Sequence, residues 1–399
     1  MIGFNDALNK VLEHAQDYGN EIVSLDESHG RVLAETILAD RDFPPFDRST
    51  KDGIAIRFDA LKSPGQAFTS EGVAQAGSPQ VTLVQKEHCV EVMTGAIVPK
   101  NTDTVIMYEH TSKAGDIFTV DKSIKKGQNI HYQGSDINQG EVLLQPGIFI
   151  TSAEIGVLAS VGKTQVLVKK LPRIAVISTG NELVNVEEIP LPFQIRKSNS
   201  HSLYALLETE GIAADLHHLL DEPSAIQEAL GRLIKTYDVL LLSGGVSMGK
   251  FDFLPEAFAA LGVEKSFHKV LQRPGKPFWF GKHSEYKTLL FSFPGNPVST
   301  FVNYHLYFKA WLNKTLGRVA PQFTVILSDS FTNETDLTLF IGAKIDNKEG
   351  RLMAEILSSS GSGDLVGLSK VDGFVTIPPK ETLQKEAKAM FIPTRNLWQ

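Results

Sequence analysis

Three apolar runs, Ile174 to Ser178, Val239 to Ser243 and Thr288 to Phe293, each lead into a short polar turn. The turns are Ser178-Thr179-Gly180-Asn181-Glu182, Ser243-Gly244-Gly245-Val246-Ser247-Met248-Gly249 and Pro294-Gly295-Asn296-Pro297. Glycine lets backbone N–H groups approach an anion closely, and serine and threonine add donors, so phosphate or another oxyanion is the expected occupant. One such loop alone reads as a tight turn. Three on successive strand ends read as an anion site, because ligands of open α/β sheets bind beyond the carboxyl ends of the strands. The segment Gln272-Arg273-Pro274-Gly275-Lys276-Pro277 adds two cations three residues apart in a proline-stiffened loop, which suits a doubly charged oxyanion. Asp252 follows the second turn at short range and Asp221 follows the apolar strand candidate Leu216 to Leu220; helix capping is the plain reading of each. Carboxylates beside phosphate-binding amides repel the ligand unless a cation such as magnesium intervenes.

Polar turns also occur earlier in the chain, at Arg48 to Gly53, Met93 to Ala96 and Gly134 to Ile137; taken separately they are ordinary turns. No GxSxG elbow, Walker-type GxxxxGK[ST], HExxH or adjacent Cys-His pair is present, so covalent catalysis is not suggested. His217-His218 reads as half core and half surface within a strand, and Phe278 to Phe280 as strand core.

The elements that must carry these loops follow from periodicity. Met1 to Gly19 predicts an amphipathic helix with Phe4, Leu8, Val11, Leu12 and Ala15 on one face. Phe43-Pro44-Pro45-Phe46 then enforces an extended path. From about 46 to 140 the apolar runs are short and punctuated, as in Val81 to Val84, Thr104 to Tyr108 and Ile117 to Val120, which predicts a small all-β domain. Thr151-Ser152-Ala153-Glu154 has capping-box spacing before a helix that Gly162 stops. From Arg173 strands alternate with helices at about 199–210, 224–235 and from Pro297 to about 313, the pattern of an α/β layer around a parallel sheet. After Gly317 short alternating segments return, including Gly373 to Ile377 and Ala389 to Ile392, and Ser358 to Gly363 reads as a loop. The expected organisation is a discontinuous first domain (1–45 with 140–171), an inserted β domain (46–139), an α/β domain (172–318) and a terminal β domain (319–399).

Composition narrows the function classes. With 399 residues several cores are expected. Basic residues number 39 against 46 acidic, net −7, so no global field draws nucleic acid or an anionic membrane and any anion must be held locally. Cys89 is the only cysteine, which excludes an intrachain disulfide and thiolate metal clusters and points to a reducing compartment. No run approaches membrane-spanning length and the first helix is no signal peptide, so a cytoplasmic location is expected.

The segments Arg48 to Ala55, Thr94-Gly95-Ala96, Gly134 to Ile137, Ser178 to Leu183, Ser243 to Gly249, Arg273 to Pro277 and Pro294 to Ser299 together resemble, in order and spacing, the molybdopterin molybdenumtransferase family (MoeA and the gephyrin E domain). The resemblance covers essentially the whole chain. It implies a MogA-like α/β domain, an inserted β domain and a C-terminal β-barrel. It also implies a homodimer whose active site joins the α/β domain of one chain to the inserted domain of the other. The implied reaction inserts molybdate into adenylyl-molybdopterin and releases AMP with a divalent metal such as Mg2+. By motif, Asp52, Asp136, Glu182 and Asp252 would be catalytic, with Asp52 and Asp252 on the metal. Thr94, Asp221, Ser243, Gly244, Gly245, Ser247, Pro294, Gly295, Asn296 and Pro297 would bind the pterin nucleotide, and Arg273, Lys276 and Ser362 the molybdate. A molybdopterin adenylyltransferase and molybdoenzyme apoproteins are the implied partners. The chain departs from the family at Lys51, where methionine is common, at Ser135 (Glu), Asn181 (Asp) and Arg273 (Lys). The terminal-domain arginine of the anion site has two candidates here, Arg351 and Lys344. The competing readings are an adenylyltransferase, which would need only the α/β domain, and a gephyrin-like scaffold, which would not need the acidic and basic site residues.

Overall fold

The protein is described from a computed structural model that covers residues 1–246, 252–319 and 321–397. Of the residues singled out above, Ser247, Met248 and Gly249 lie outside the described residues. The chain divides into two compact units, one of Met1–Ala34, Gly147–Thr151 and Gln165–Gln399, the other of Glu35–Pro146 and Ser152–Thr164.

The larger unit opens with helix α1 (Phe4–Leu12). Its α/β layer then follows as β1 (Ile174–Thr179), α2 (Ser198–Thr209), β2 (Ala214–Leu219), α3 (Pro223–Thr236), β3 (Val239–Ser243), α4 (Leu254–Ala260), β4 (Val263–His268), β5 (Trp279–His283), β6 (Leu289–Phe293) and α5 (Pro297–Asn303). The sheet order is β2-β1-β3-β6-β5-β4. The first four strands are mutually parallel, whereas β5 and β4 return antiparallel at the edge. The continuous apolarity of β1, β3 and β6 is explained by two covered faces. Val176, Leu241 and Phe291 point to a core shared with α1, α2 and the segment after Pro297, while Ile177, Leu240, Leu242 and Leu290 pack against α3 and α4. Full burial of each such side chain stabilises by roughly 1.5–3 kcal/mol.

Several expectations are corrected in detail. The first helix ends at Leu12 rather than near Gly19: the N–H groups of His14 and Ala15 bond three residues back, tightening the last turn. Ala7 is fully buried together with Val11 on its inner face, and Trp311 Nε1 donates to His14 O at 3.0 Å to dock the helix end. α4 was not foreseen, since seven residues starting at Leu254-Pro255 are too few to show a period. The helix after Pro297 does reach Thr315, but through a π-helical turn at Tyr304–Phe308.

The terminal strands β7 (Phe323–Leu327), β8 (Thr338–Lys348), β9 (Arg351–Ile356), β10 (Gly373–Ile377) and β11 (Lys388–Pro393) run in the order β8-β9-β7-β11-β10, and β10 pairs back onto β8. The five strands therefore close into a barrel without free edges, around Val325, Ala343, Ala354, Val375 and Phe391.

The smaller unit holds a six-stranded sheet ordered Thr104–Met107, Gly53–Ile56, His88–Val92, Ala67–Ala74, Ile117–Val120, Thr111–Ala114. Val81 to Val84 is not a strand. A single bridge joins Thr82 to Lys100, and Leu83 is buried while Val84 is exposed. Cys89 is buried in this sheet and burial pushes its thiol up to about 12, so it is an inert core residue. The helix expected after Thr151 spans Ser152–Ser160, and Gly162 follows it at φ +70°. Among the described residues no helix is long and apolar enough to cross a membrane.

Candidate active site

At the carboxyl ends of β1, β3 and β6 the three polar turns line one cleft of about 400 Å³. Of the residues singled out by sequence, Glu182, Asp221, Ser243, Gly244, Gly245, Asp252, Gly295, Asn296 and Pro297 all face it. The turn after β3 requires glycine. Gly244 has φ +103°, and a Cβ there would stand 2.7 Å from Thr179 Oγ1. Its N–H donates to Phe293 O at 3.1 Å, tying the second loop to the third strand. Asp221 and Asn181 clasp reciprocally: Asn181 N donates to Asp221 Oδ2 (3.2 Å) and Asp221 N to Asn181 Oδ1 (3.1 Å). Asp221 therefore fixes the first loop as well as lining the cleft, rather than capping the helix that follows. Behind it, Ser178 Oγ lies 3.0 Å from His218 Nδ1, and burial holds the His218 imidazole below its usual range.

Arg273, Lys276 and Ser362 line a second cavity, of about 940 Å³, and Asn296 lines both. Asn296 Nδ2 donates to Ser362 Oγ at 2.9 Å, and Val298 N to Ser362 O at 3.1 Å, so the Ser358 to Gly363 loop closes against the start of α5. Pro294 belongs to this second cavity rather than the first. The basic loop is held from below: Gln272 and Arg273 pair in parallel with Thr338 and Leu339 of β8. Gln272 Nε2 donates to Asn303 Oδ1 (2.8 Å) and Pro274 O (2.9 Å), Asn303 Nδ2 to Gly275 O (3.2 Å), and the Tyr307 hydroxyl to Gln272 Oε1. The cations themselves stay exposed at the mouth.

The remaining predicted residues belong to the smaller unit, in two separate arrangements. Asp52 Oδ1 accepts from Thr94 N (2.6 Å) and Thr94 Oγ1 (2.9 Å), and these bonds, the backbone one first, hold its carboxyl below the ordinary range. Asp136 Oδ1 accepts from His131 Nε2 at 2.8 Å, and Arg48 Nη2 lies 3.1 Å from His131 Nδ1. A guanidinium can only donate, so Nδ1 is the acceptor and Nε2 carries the proton given to Asp136.

Three family models match consecutive parts of the chain: the MoeA N-terminal region (domain I and II) over residues 2–162, a probable molybdopterin binding domain over 175–314, and the MoeA C-terminal region (domain IV) over 324–388. The molybdopterin molybdenumtransferase of Synechocystis is 37% identical over 382 residues, covering 95% of this chain and 96% of the relative. The chain belongs to the MoeA family. It is an enzyme, a transferase of molybdenum-cofactor biosynthesis. The Staphylococcus epidermidis molybdopterin molybdenumtransferase is 33% identical over 389 residues, covering 94% of this chain and 91% of its own. Among solved structures, the molybdopterin biosynthesis moeA protein of Pyrococcus horikoshii superposes with a TM-score of 0.82 at 28% identity, covering 98% of this chain and 99% of that one. A match that spans the whole chain favours neither the stand-alone adenylyltransferase nor the scaffold.

Within this MoeA-family cleft the sequence reading overlooked the start of α2. Arg196, Lys197, Ser198 and Asn199 line it. The available signal was a basic pair directly before Ser-Asn-Ser at a helix start, where free N–H groups and cations favour anions. Among the described residues no three acidic or imidazole groups converge into a metal cage. The oxygen donors of Glu182, Asp221 and Asp252 around the glycine turn do fit Mg2+, which usually takes only one or two carboxylates and completes its shell with water and substrate phosphates.

Proposed function

We propose that this chain transfers molybdate to the dithiolene of adenylyl-molybdopterin and releases AMP. The observation that carries the reading is the junction at Asn296. A cleft of carboxylates and glycine amides meets, through one shared residue, a cavity whose mouth holds a guanidinium, an ammonium and a serine hydroxyl. An adenylylated pterin presents a phosphoanhydride to the first, and molybdate is a tetrahedral dianion suited to the second.

In this reading Gly244, Gly245, Gly295 and Asn296 take the phosphate-bearing part of the substrate, and Arg273, Lys276 and Ser362 hold molybdate beside the dithiolene. Glu182, Asp221 and Asp252 face the anhydride. Magnesium, with Asp252 and Asp52 as its protein ligands, would neutralise charge on the anhydride as the phosphate bond breaks. Asp52, Thr94 and Asp136 act from the inserted β domain of a second copy, which makes the homodimer the active form. A cytoplasmic setting agrees with the lone buried thiol. An adenylyltransferase is the expected source of the substrate, and molybdoenzyme apoproteins receive the product.

The test is AMP release and molybdenum-loaded pterin, followed together at varied molybdate. Wild-type enzyme should form both products only when molybdate is present. Arg273→Ala and Lys276→Ala should each raise the molybdate KM by about 10–100-fold, as expected when a charge-assisted contact worth roughly 1.5–3 kcal/mol is lost. An unchanged molybdate dependence in both variants would place the anion elsewhere.

A further inference from the structure

The amide of Asn199, in the first turn of α2, reaches the end of β3, the loop after β6 and the first turns of α5. Its Nδ2 lies 2.7 Å from Gly295 O, 2.8 Å from Ser243 Oγ and 3.4 Å from Thr300 Oγ1. An NH2 group has two hydrogens, and the two short contacts take them. Ser243 Oγ is thus an acceptor from Asn199, while Thr300 Oγ1 donates to Pro294 O at 2.6 Å. The remaining contact, 3.3 Å between Ser243 and Thr300, must then run from the serine hydroxyl to the threonine oxygen. The result is a chain of one polarity, Asn199 to Ser243 to Thr300 to Pro294 O, with a branch from Asn199 to Gly295 O. Ser243 and Thr300 are buried, and Asn199 is half-buried at the cleft wall. Each group in the chain satisfies the next, and such fully paired networks rigidify what they join.

We infer that Asn199 is a positioning residue. Its single amide locks the start of α2, the Gly244-Gly245 turn and the Pro294–Pro297 loop in one register, so that the phosphate-bearing end of the substrate meets loops already in place. The loops come from β3, β6 and a helix start, and among the described residues this chain joins the Gly244 N–H bond to Phe293 O in tying the turn after β3 to the loop after β6. An ordered receptor spares the substrate the entropy of ordering it, which shows in binding rather than in the chemical step. The role rests on the transferase reading for its kinetic consequences but not for its structural one.

Two measurements on the full-length enzyme test it. Asn199→Ala should raise the KM for adenylyl-molybdopterin about tenfold while kcat changes less than about threefold. Thr300→Val should act in the same direction and non-additively with Asn199→Ala, since both break one chain; Thr300→Ser, which keeps the hydroxyl, should behave as wild type. Independently of turnover, the Gly244 amide, which donates to Phe293 O, should exchange hydrogen at least about tenfold faster in Asn199→Ala, with amides of the barrel unaffected. Unchanged exchange at that glycine overturns the inference, as does a uniform fall of all kinetic parameters with the melting temperature. A wild-type enzyme that releases no AMP refutes the transferase reading instead, and the exchange result then decides the role of Asn199 alone.

Discussion

Asp136 shows how far one side chain can set the state of another. Its carboxyl is held below the ordinary range first by the hydrogen bond from His131, and the hydrogen bond from Ser135 and the charge of Arg48 act in the same direction. A carboxyl with a lowered folded-state pKa gives a contribution that is present above its unfolded pKa and lost as pH falls through the folded one. Replacing His131 by Phe removes the donor, so the Asp136 carboxyl should titrate at higher pH in a carbon-13 carboxyl NMR titration. The acid limb of kcat/KM should move upward with it. An unmoved titration would show that Ser135 and Arg48 hold this carboxylate without His131. None of this was legible in Gly134-Ser135-Asp136-Ile137, because a hydrogen-bond partner five residues away across a turn leaves no mark of period or composition. The same holds for Asn199, whose acceptors lie 44 and 96 residues distant. What sequence reading could see were residue types with intrinsic chemistry, the glycines, carboxylates and cations. What it could not see were the neutral amides and imidazoles that hold them.

At the scale of elements, the strands that carry the cleft were legible because a sheet covered on both faces needs continuous apolar runs, and β1, β3 and β6 have them. The polar turns then had to fall at one edge. The antiparallel β5 and β4 were not distinguishable from this pattern, and the pairing of Gln272-Arg273 with β8 was invisible, since two residues make no pattern. Through that pairing the basic loop hangs between the π-helical turn and the barrel. The Tyr307 hydroxyl donates to Gln272 Oε1, both residues are fully buried, and Gly275, at φ +84°, leaves no room for a Cβ beside Asn303. Tyr307→Phe would leave the Gln272 oxygen buried with one bond fewer, a loss of about 1–3 kcal/mol in urea unfolding. Because the same glutamine anchors Pro274, the molybdate KM should rise severalfold with the substrate KM for the pterin unchanged. Stability loss with no change in molybdate KM would mean that the loop keeps its shape without this network.

For the whole molecule, the sequence indicated several folded parts, and the closed barrel and the mixed sheet realise the β and α/β patterns at the chain's end and middle. Periodicity carries no sign of whether the acidic turns of one compact unit and the glycine cleft of the other serve one activity. Asp52 and Asp136 each have their own partners within the smaller unit, and Asp252 lines the cleft of the larger one. If the active form is a symmetric dimer, each site takes Asp252 from one copy and Asp52 from the other. This has a sharp consequence for mixed dimers. A chain carrying Asp52→Ala and a chain carrying Asp252→Ala should each be inactive alone. In a mixed dimer, one site collects both substitutions and the other collects neither. Random mixing makes half the dimers mixed, and each has one of its two sites intact, so co-expression should restore roughly a quarter of wild-type AMP release. Sites confined to one chain predict no recovery at all, because every chain then carries a defect. Recovery near a quarter, lost when the mixture is diluted until the protein sediments as a monomer, would place the two carboxylates on different chains of one site.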